Sequence, residues 1–169
     1  PLTPDGAPAT VAAVAITRRD PGGLAELLPA VLAPSLLPDA VVVLDRTPPG
    51  SPAAGTVSEG VDQARSSTRV PIAITPGDQR SPVRTVIHRA LLDQPDPTTL
   101  AWLLPVGTTP ETGALVALVD DWRRSPSTGI LGPKHVDAER PHLLQGLSIR
   151  TTRGGRLLPR PAPGEPDQG

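Results

Sequence analysis

The chain contains no cysteine, methionine, phenylalanine or tyrosine, and Trp102 and Trp122 are its only aromatic residues. Without cysteine there is no disulfide, no thiolate nucleophile and no cysteine metal site. Without the large aromatics and methionine, a core must be assembled from Val, Leu, Ile and Ala through many short contacts. The three histidines, His88, His135 and His142, lack the close pairing of a zinc motif. No uninterrupted apolar run approaches the ~18 residues of a membrane-spanning helix. A formal net charge of -1 argues against a general nucleic-acid-binding surface. No Gly-x-Gly-x-x-Gly or phosphate-loop lysine motif is present, which argues against a dinucleotide-dependent dehydrogenase or an NTPase. Ser66, Ser67 and Thr68 have no His and Asp partners at informative spacing, so a hydrolase triad has no support.

What is present fits one globular domain: 169 residues, 37% hydrophobic and 20% charged, enough for a real core. Proline at 24 and glycine at 16 are high and cluster between the apolar runs and at both ends. The expected organisation is a flexible N-terminal segment over 1–10, a folded domain over 11–156 and a loose proline-rich tail over 157–169. Pro1 in place of Met and the polar ending at Gly169 lead us to expect a piece of a longer protein.

The apolar runs alternate with helical patterns. Val11–Thr17 is a continuous apolar run of strand length, as in a parallel strand covered on both faces. Leu24, Leu27, Leu28, Val31 and Leu32 form one helix face, which Pro29 should kink or split. Ala40–Leu44 is a second strand ending at Asp45, and a weak helix covers Thr56–Arg65. Val70–Thr75 is a third strand, where Pro71 argues for an early or edge position. Pro76, Gly77 and Asp78 are turn chemistry. Ser81-Pro82 opens a helix with Ser as the cap and a stripe of Val83, Val86, Ile87, Ala90 and Leu91. Leu100–Leu104 is a fourth strand. Thr109-Pro110-Glu111 then caps a helix whose stripe is Leu115, Leu118, Val119 and Trp122. Gly129–Leu131 is a fifth strand, and Leu144–Arg150 a sixth that turns at Arg153–Arg156. This order predicts an α/β fold: a mostly parallel sheet flanked by helices, a three-layer sandwich. In such folds ligands sit at the carboxyl ends of the strands. The loop after the fourth strand, Pro105 to Thr109, carries no charge at all.

Three stretches carry a resemblance: VAAVAITRRDPGGLAELLPAVLA, VVVLDRTPPGS and WLLPVGTTPETGALVALVDDWRRSPSTGILGPKHVD. Together with the ending GLSIRTTRGGRLLPRPAPGEPDQG, they resemble the nucleotide-sugar-binding half of a family 2 glycosyltransferase, in particular large actinobacterial members. The resemblance spans roughly residues 10–169. It implies a GT-A fold, a nucleoside-diphosphate sugar as donor and an unknown glycan or lipid-linked acceptor. It implies a cytoplasmic chain, at the cytoplasmic face of a membrane if the parent protein is membrane-attached. It places Thr17, Arg18, Asp45 and Asp78 around the donor. The chain departs from the family at the acidic pair that holds a divalent cation, because those places are Val106 and Gly107, whose side chains offer a hard cation no oxygen. No metal site or cofactor is therefore expected. Arg18 and Arg19 are the candidates to neutralise a diphosphate instead. The family's catalytic base would fall beyond residue 169 or in the tail near Glu165 and Asp167, so no catalytic residue is named. An equally open reading is a degenerate module that keeps the fold, without catalysis, in a scaffolding or regulatory role.

Each candidate also has a plain structural reading. Asp45 and Asp78 are natural turn formers, and Arg18 and Arg19 are natural surface residues. Asp120 and Asp121 are adjacent carboxylates, but Arg123 and Arg124 beside them favour local ion pairs over a metal. His88 falls on the polar side of its helix. Lys134 and His135 follow the fifth strand, His135 being a weak candidate on the acceptor side.

Overall fold

The structure is a computed structural model that describes residues 9–17, 21–33, 36–48, 50–51, 53–77, 80–93, 100–125, 128–146 and 163–167. Arg18, Arg19, Asp78 and the expected turn at 153–156 lie outside these residues. The chain divides into two compact units, Pro1–Val119 and Asp120–Gly169.

The first unit is an α/β fold. Four strands, β1 (Val11–Ile16), β2 (Ala40–Asp45), β3 (Ile72–Pro76) and β4 (Leu100–Pro105), form one sheet in the order β3-β2-β1-β4. Every pairing in it is parallel. The connecting helices are α1 (Leu24–Leu32), α2 (Ala54–Arg65) and α3 (Val83–Leu92), and α4 (Ala114–Arg124) follows β4. Side chains alternate across the sheet. Val11, Ala13, Ala15, Val41, Val43, Ile72, Trp102 and Leu104 face one way, where they pack with buried residues of α1, α2 and α4. Val14, Val42 and Leu44 face the other way, against Val86 and Ala90 of α3. The result is the expected three layers, with β1 and β2 buried on both faces.

Local chemistry explains most of these elements. The expected stripe of α1 is its buried face: Leu24, Leu27, Leu28 and Val31 are each at most 1% exposed. Pro29 neither splits nor ends this helix, which runs unbroken through it. The proline sits on the exposed side and forfeits one backbone bond, a cost of about 3 kcal/mol. Burial of the four aliphatic side chains, at about 1.5–3 kcal/mol each, outweighs it. Pro71 immediately precedes β3, and β3 is an edge strand as its proline requires. Arg65 near the end of α2 donates Nε and Nη2 to the Ile72 carbonyl at 3.2 and 2.8 Å, pinning the helix to the start of β3.

The expectations fail where glycine and proline crowd short apolar runs. Gly129–Leu131 is not a strand, and Ile130 is 92% exposed. Only Ile130 and Leu131 stand between Gly129 and Gly132, and glycine disfavours strand structure. The second unit carries β5 (His135–Val136), which was not expected, and β6 (Leu144–Gly146), the described start of the expected strand over Leu144–Arg150; the two pair antiparallel. The described part of the expected loose tail is also tied down. Leu144 N–H donates to Glu165 O at 2.8 Å, Gly164 N–H to Leu144 O at 2.7 Å and Asp167 N–H to His142 O at 2.8 Å. Helix α4 begins at Ala114 rather than at the Thr109-Pro110-Glu111 cap. No side chain caps α3; its N-cap residue is Pro82, not Ser81. Among the described residues no helix is long and apolar enough to cross a membrane.

Candidate functional site at the carboxyl edge of the sheet

With β1 followed by β2 and β3 on one side and β4 on the other, the strand order reverses between β1 and β4. The crevice beyond the carboxyl ends at such a point is the usual ligand position in an open parallel sheet. The residues that reach this edge are Thr17 after β1, Asp45 to Thr47 at β2, Gly77 after β3 and Pro105 to Thr108 at β4.

Thr17 and Asp45 are brought together. The Thr17 hydroxyl is fully buried, donates to Leu44 O at 3.0 Å and accepts from the Arg46 N–H at 2.9 Å. It also lies 3.5 Å from Asp45 Oδ1. Its role in the fold is therefore to lock the end of β1 to the turn after β2. Asp45 Oδ1 accepts from the Thr47 N–H at 2.9 Å and from the Thr47 hydroxyl at 2.5 Å. This is the Asx turn that the plain reading anticipates, but it occupies only one carboxylate oxygen. Among the described residues no hydrogen bond reaches Oδ2 of the half-buried Asp45. Turn-forming and ligand-facing roles are thus compatible in one side chain.

Arg46 is the residue that sequence reasoning passed over. Its Nη2 donates to Ser81 O at 3.0 Å, joining the β2 end to the approach to α3. Gly77 makes room for it: a Cβ there would stand 2.8 Å from Arg46 Cγ, and Gly77 N–H donates to Asp45 O at 2.7 Å. The signal available in the sequence was a basic residue directly after a strand-ending aspartate. Asp78 and Arg18, the other two expected donor contacts, lie outside the described residues.

The β4 end has a different character. Val106 N–H extends the ladder to Ile16 O at 3.0 Å, and Thr108 N–H closes a turn on Pro105 O at 3.2 Å. Gly107 occupies the third position of that turn with φ +95°, a conformation that favours glycine. A Cβ on Gly23, just before α1, would meet Gly107 N and Val106 Cγ1, each at 3.2 Å. The loops flanking the reversal point are therefore in direct contact, and neither Val106 nor Gly107 presents a side-chain oxygen. Among the described residues no three His, Asp or Glu side chains gather in a metal-ligating group.

In the second unit most of the remaining candidates are held in ion pairs. Asp120 and Asp121 meet Arg123 and Arg124 at 3.3 and 2.5 Å, and the hydrogen bond from Arg124 to Asp121 raises the already high guanidinium pKa. Lys134 pairs with Asp167 at 2.5 Å, while His135 is exposed in β5. Asp137 accepts from the Gln145 amide at 2.7 Å and from the Arg140 N–H at 2.9 Å. These bonds, the one from Gln145 first, hold its carboxyl below the usual aspartate range. In the first unit His88 is exposed on α3, and Ser66 and Ser67 donate to Gln63 O and Ala64 O of their own helix end. A cleft of about 170 Å³ between α1 and α2 is lined by Leu28, Pro29, Gly60 and Gln63 among others, and by none of the expected donor contacts.

No protein-family model matches this chain, and neither does any curated protein or solved structure.

Proposed function

We propose that this chain is a glycosyltransferase-like domain of GT-A type that binds a nucleoside-diphosphate sugar at the carboxyl edge of its sheet without a divalent cation. The observation that carries the reading is Asp45. Two adjacent parallel strands deliver it to the sheet's carboxyl edge, the Thr47 amide and hydroxyl fix its carboxylate, and Oδ2, which no described residue bonds, would accept from a base N–H or a ribose hydroxyl. The sequence resemblance supports the choice of ligand class. Arg18 follows Thr17 directly in the chain and is the nearest candidate in sequence to neutralise a diphosphate; Asp78 is a second candidate for the base or ribose. In an active enzyme the sugar would pass to a glycan or lipid-linked acceptor, in a parent protein at the cytoplasmic face of a membrane.

A second reading, a catalytically silent module with a scaffolding or regulatory role, is favoured by the β4 turn. The turn puts Gly107 at φ +95° and packs Val106 toward Gly23. That arrangement suits a structural joint more than a cation seat. Incubation of the chain with a panel of nucleoside-diphosphate sugars separates the two: the first reading predicts slow donor hydrolysis or transfer, the second none. Asp45→Ala should weaken binding of the preferred nucleotide ~10- to 100-fold, the scale of one hydrogen bond to a charged acceptor. Unchanged affinity would remove Asp45 from the site.

A further inference from the structure

Arg46 is the middle residue of the turn that carries the Asp45 carboxylate. In an Asx turn the side chain of the first residue closes a ring on the N–H two residues on. Here Asp45 Oδ1 accepts from the Thr47 N–H at 2.9 Å. That ring runs through the backbone of Arg46, so the φ and ψ of Arg46 decide where the carboxylate is held.

Both the backbone and the side chain of Arg46 are tethered. Its N–H donates to the buried Thr17 hydroxyl, after β1, at 2.9 Å. Its Nη2 donates to Ser81 O, on the approach to α3, at 3.0 Å. Its stem crosses Gly77, where a Cβ would stand 2.8 Å from Arg46 Cγ. The same Cβ would come within 3.3 Å of Val86 Cγ1 and 3.4 Å of Asp45 O, so the arginine has this path because residue 77 is glycine. Gly77 is itself tied to the turn, its N–H donating to Asp45 O at 2.7 Å.

The direction of the side chain decides its chemistry. β3 lies on the side of β2 away from β1, and Gly77 and Ser81 both follow β3. The bond to Ser81 therefore draws the guanidinium away from the reversal point between β1 and β4, the usual place of a ligand.

We infer that Arg46 is a positioning residue: it braces the Asp45 turn between Thr17 and Ser81 and sets the direction of the carboxylate without touching the ligand's phosphates. The inference rests on the reading of Asp45 as a nucleotide contact, but its effect on the turn is measured with no nucleotide present.

Arg46→Met keeps the stem over Gly77 and removes the donor to Ser81 O. Amide exchange of the full chain, followed by NMR, should show the Thr47 N–H exchanging about tenfold faster in this variant while the amides of β1 and β2 keep their rates. Gly77→Ala displaces the same stem from the other side and should change Thr47 exchange in the same direction. Titration with uridine and guanosine, and with their diphosphates, gives the second readout. Arg46→Met should weaken a nucleoside and its diphosphate by the same factor, about tenfold, whereas a phosphate contact would weaken the diphosphate alone. In an Asp45→Ala background the same substitution should cost less than about twofold, because the two residues act as one unit. Unchanged Thr47 exchange in both variants would overturn the proposal. So would a loss confined to the diphosphate, or an undiminished loss in the Asp45→Ala background. If the unmutated chain binds none of these probes, the proposed function fails, and Thr47 exchange alone decides whether Arg46 positions the turn.

Discussion

At the scale of single residues, the carboxyl edge is built from side chains that serve the backbone first. Thr17 shows this most clearly, since its hydroxyl bonds Leu44 O and the Arg46 N–H in a fully buried position. Thr17→Val keeps the shape and orphans the Arg46 donor, an expected loss of about 1–3 kcal/mol measurable by urea unfolding, accompanied by weaker nucleotide binding as the Asp45 turn loosens. Gly107→Ala should destabilise by about 1–2 kcal/mol, because φ +95° is costly for any L side chain. An unchanged midpoint would show that the turn relaxes freely. Asp137 makes a prediction about pH. Its carboxyl titrates below the ordinary value near 3.9 because Gln145 and Arg140 donate to its ionised form. Its contribution is therefore complete above that value and disappears as pH falls through the lower folded-state value. Gln145→Ala should move the Asp137 carboxyl titration, followed by NMR, back toward the ordinary value.

At the scale of elements, the four parallel strands and their helices were legible because each is a strong pattern. β1, β2 and β4 are apolar runs without interruption, and α1 and α3 place their buried residues at helical spacing. The proline before β3 even announced an edge. Legibility ended where short segments depend on distant partners. Gly129–Leu131 looks like a strand by composition, yet it is not one; the expected strand from Leu144 does form over Leu144–Gly146 as β6, and its partner β5, His135–Val136, is too short to show a pattern of its own. The start of α4 differs from the expected cap: Pro110 suits a first turn, whereas Ala114 N–H bonds Glu111 O and Ala117 N–H bonds Gly113 O. In the site, Asp45 was legible as a strand-ending acid. Arg46 and the contact of Gly23 with Val106 and Gly107 were not, because both depend on how loops from different strands meet. The persistence of α1 through Pro29 leads to a stability prediction: Pro29→Ala restores one helical hydrogen bond on an exposed face and should stabilise by up to about 3 kcal/mol, read as a raised melting temperature. A neutral or negative change would mean that the helix is shaped around the proline.

At the scale of the whole molecule, the order of the parallel sheet reverses beside β1, the place where open sheets of this kind usually bind ligands, and the residues on that edge differ in character. The β1 and β2 ends provide a positioned carboxylate, while the β4 end provides an apolar turn seated against the residue before α1. The proposed function requires nucleotide binding that needs no cation, and isothermal titration of the chain with uridine and guanosine diphosphates, in EDTA and again in excess manganese or magnesium, measures it directly. The expected result is saturable binding to at least one nucleotide, with affinities that agree within about threefold in the two conditions. Binding that tightens tenfold or more with the cation, or no binding of either nucleotide in either condition, would contradict it.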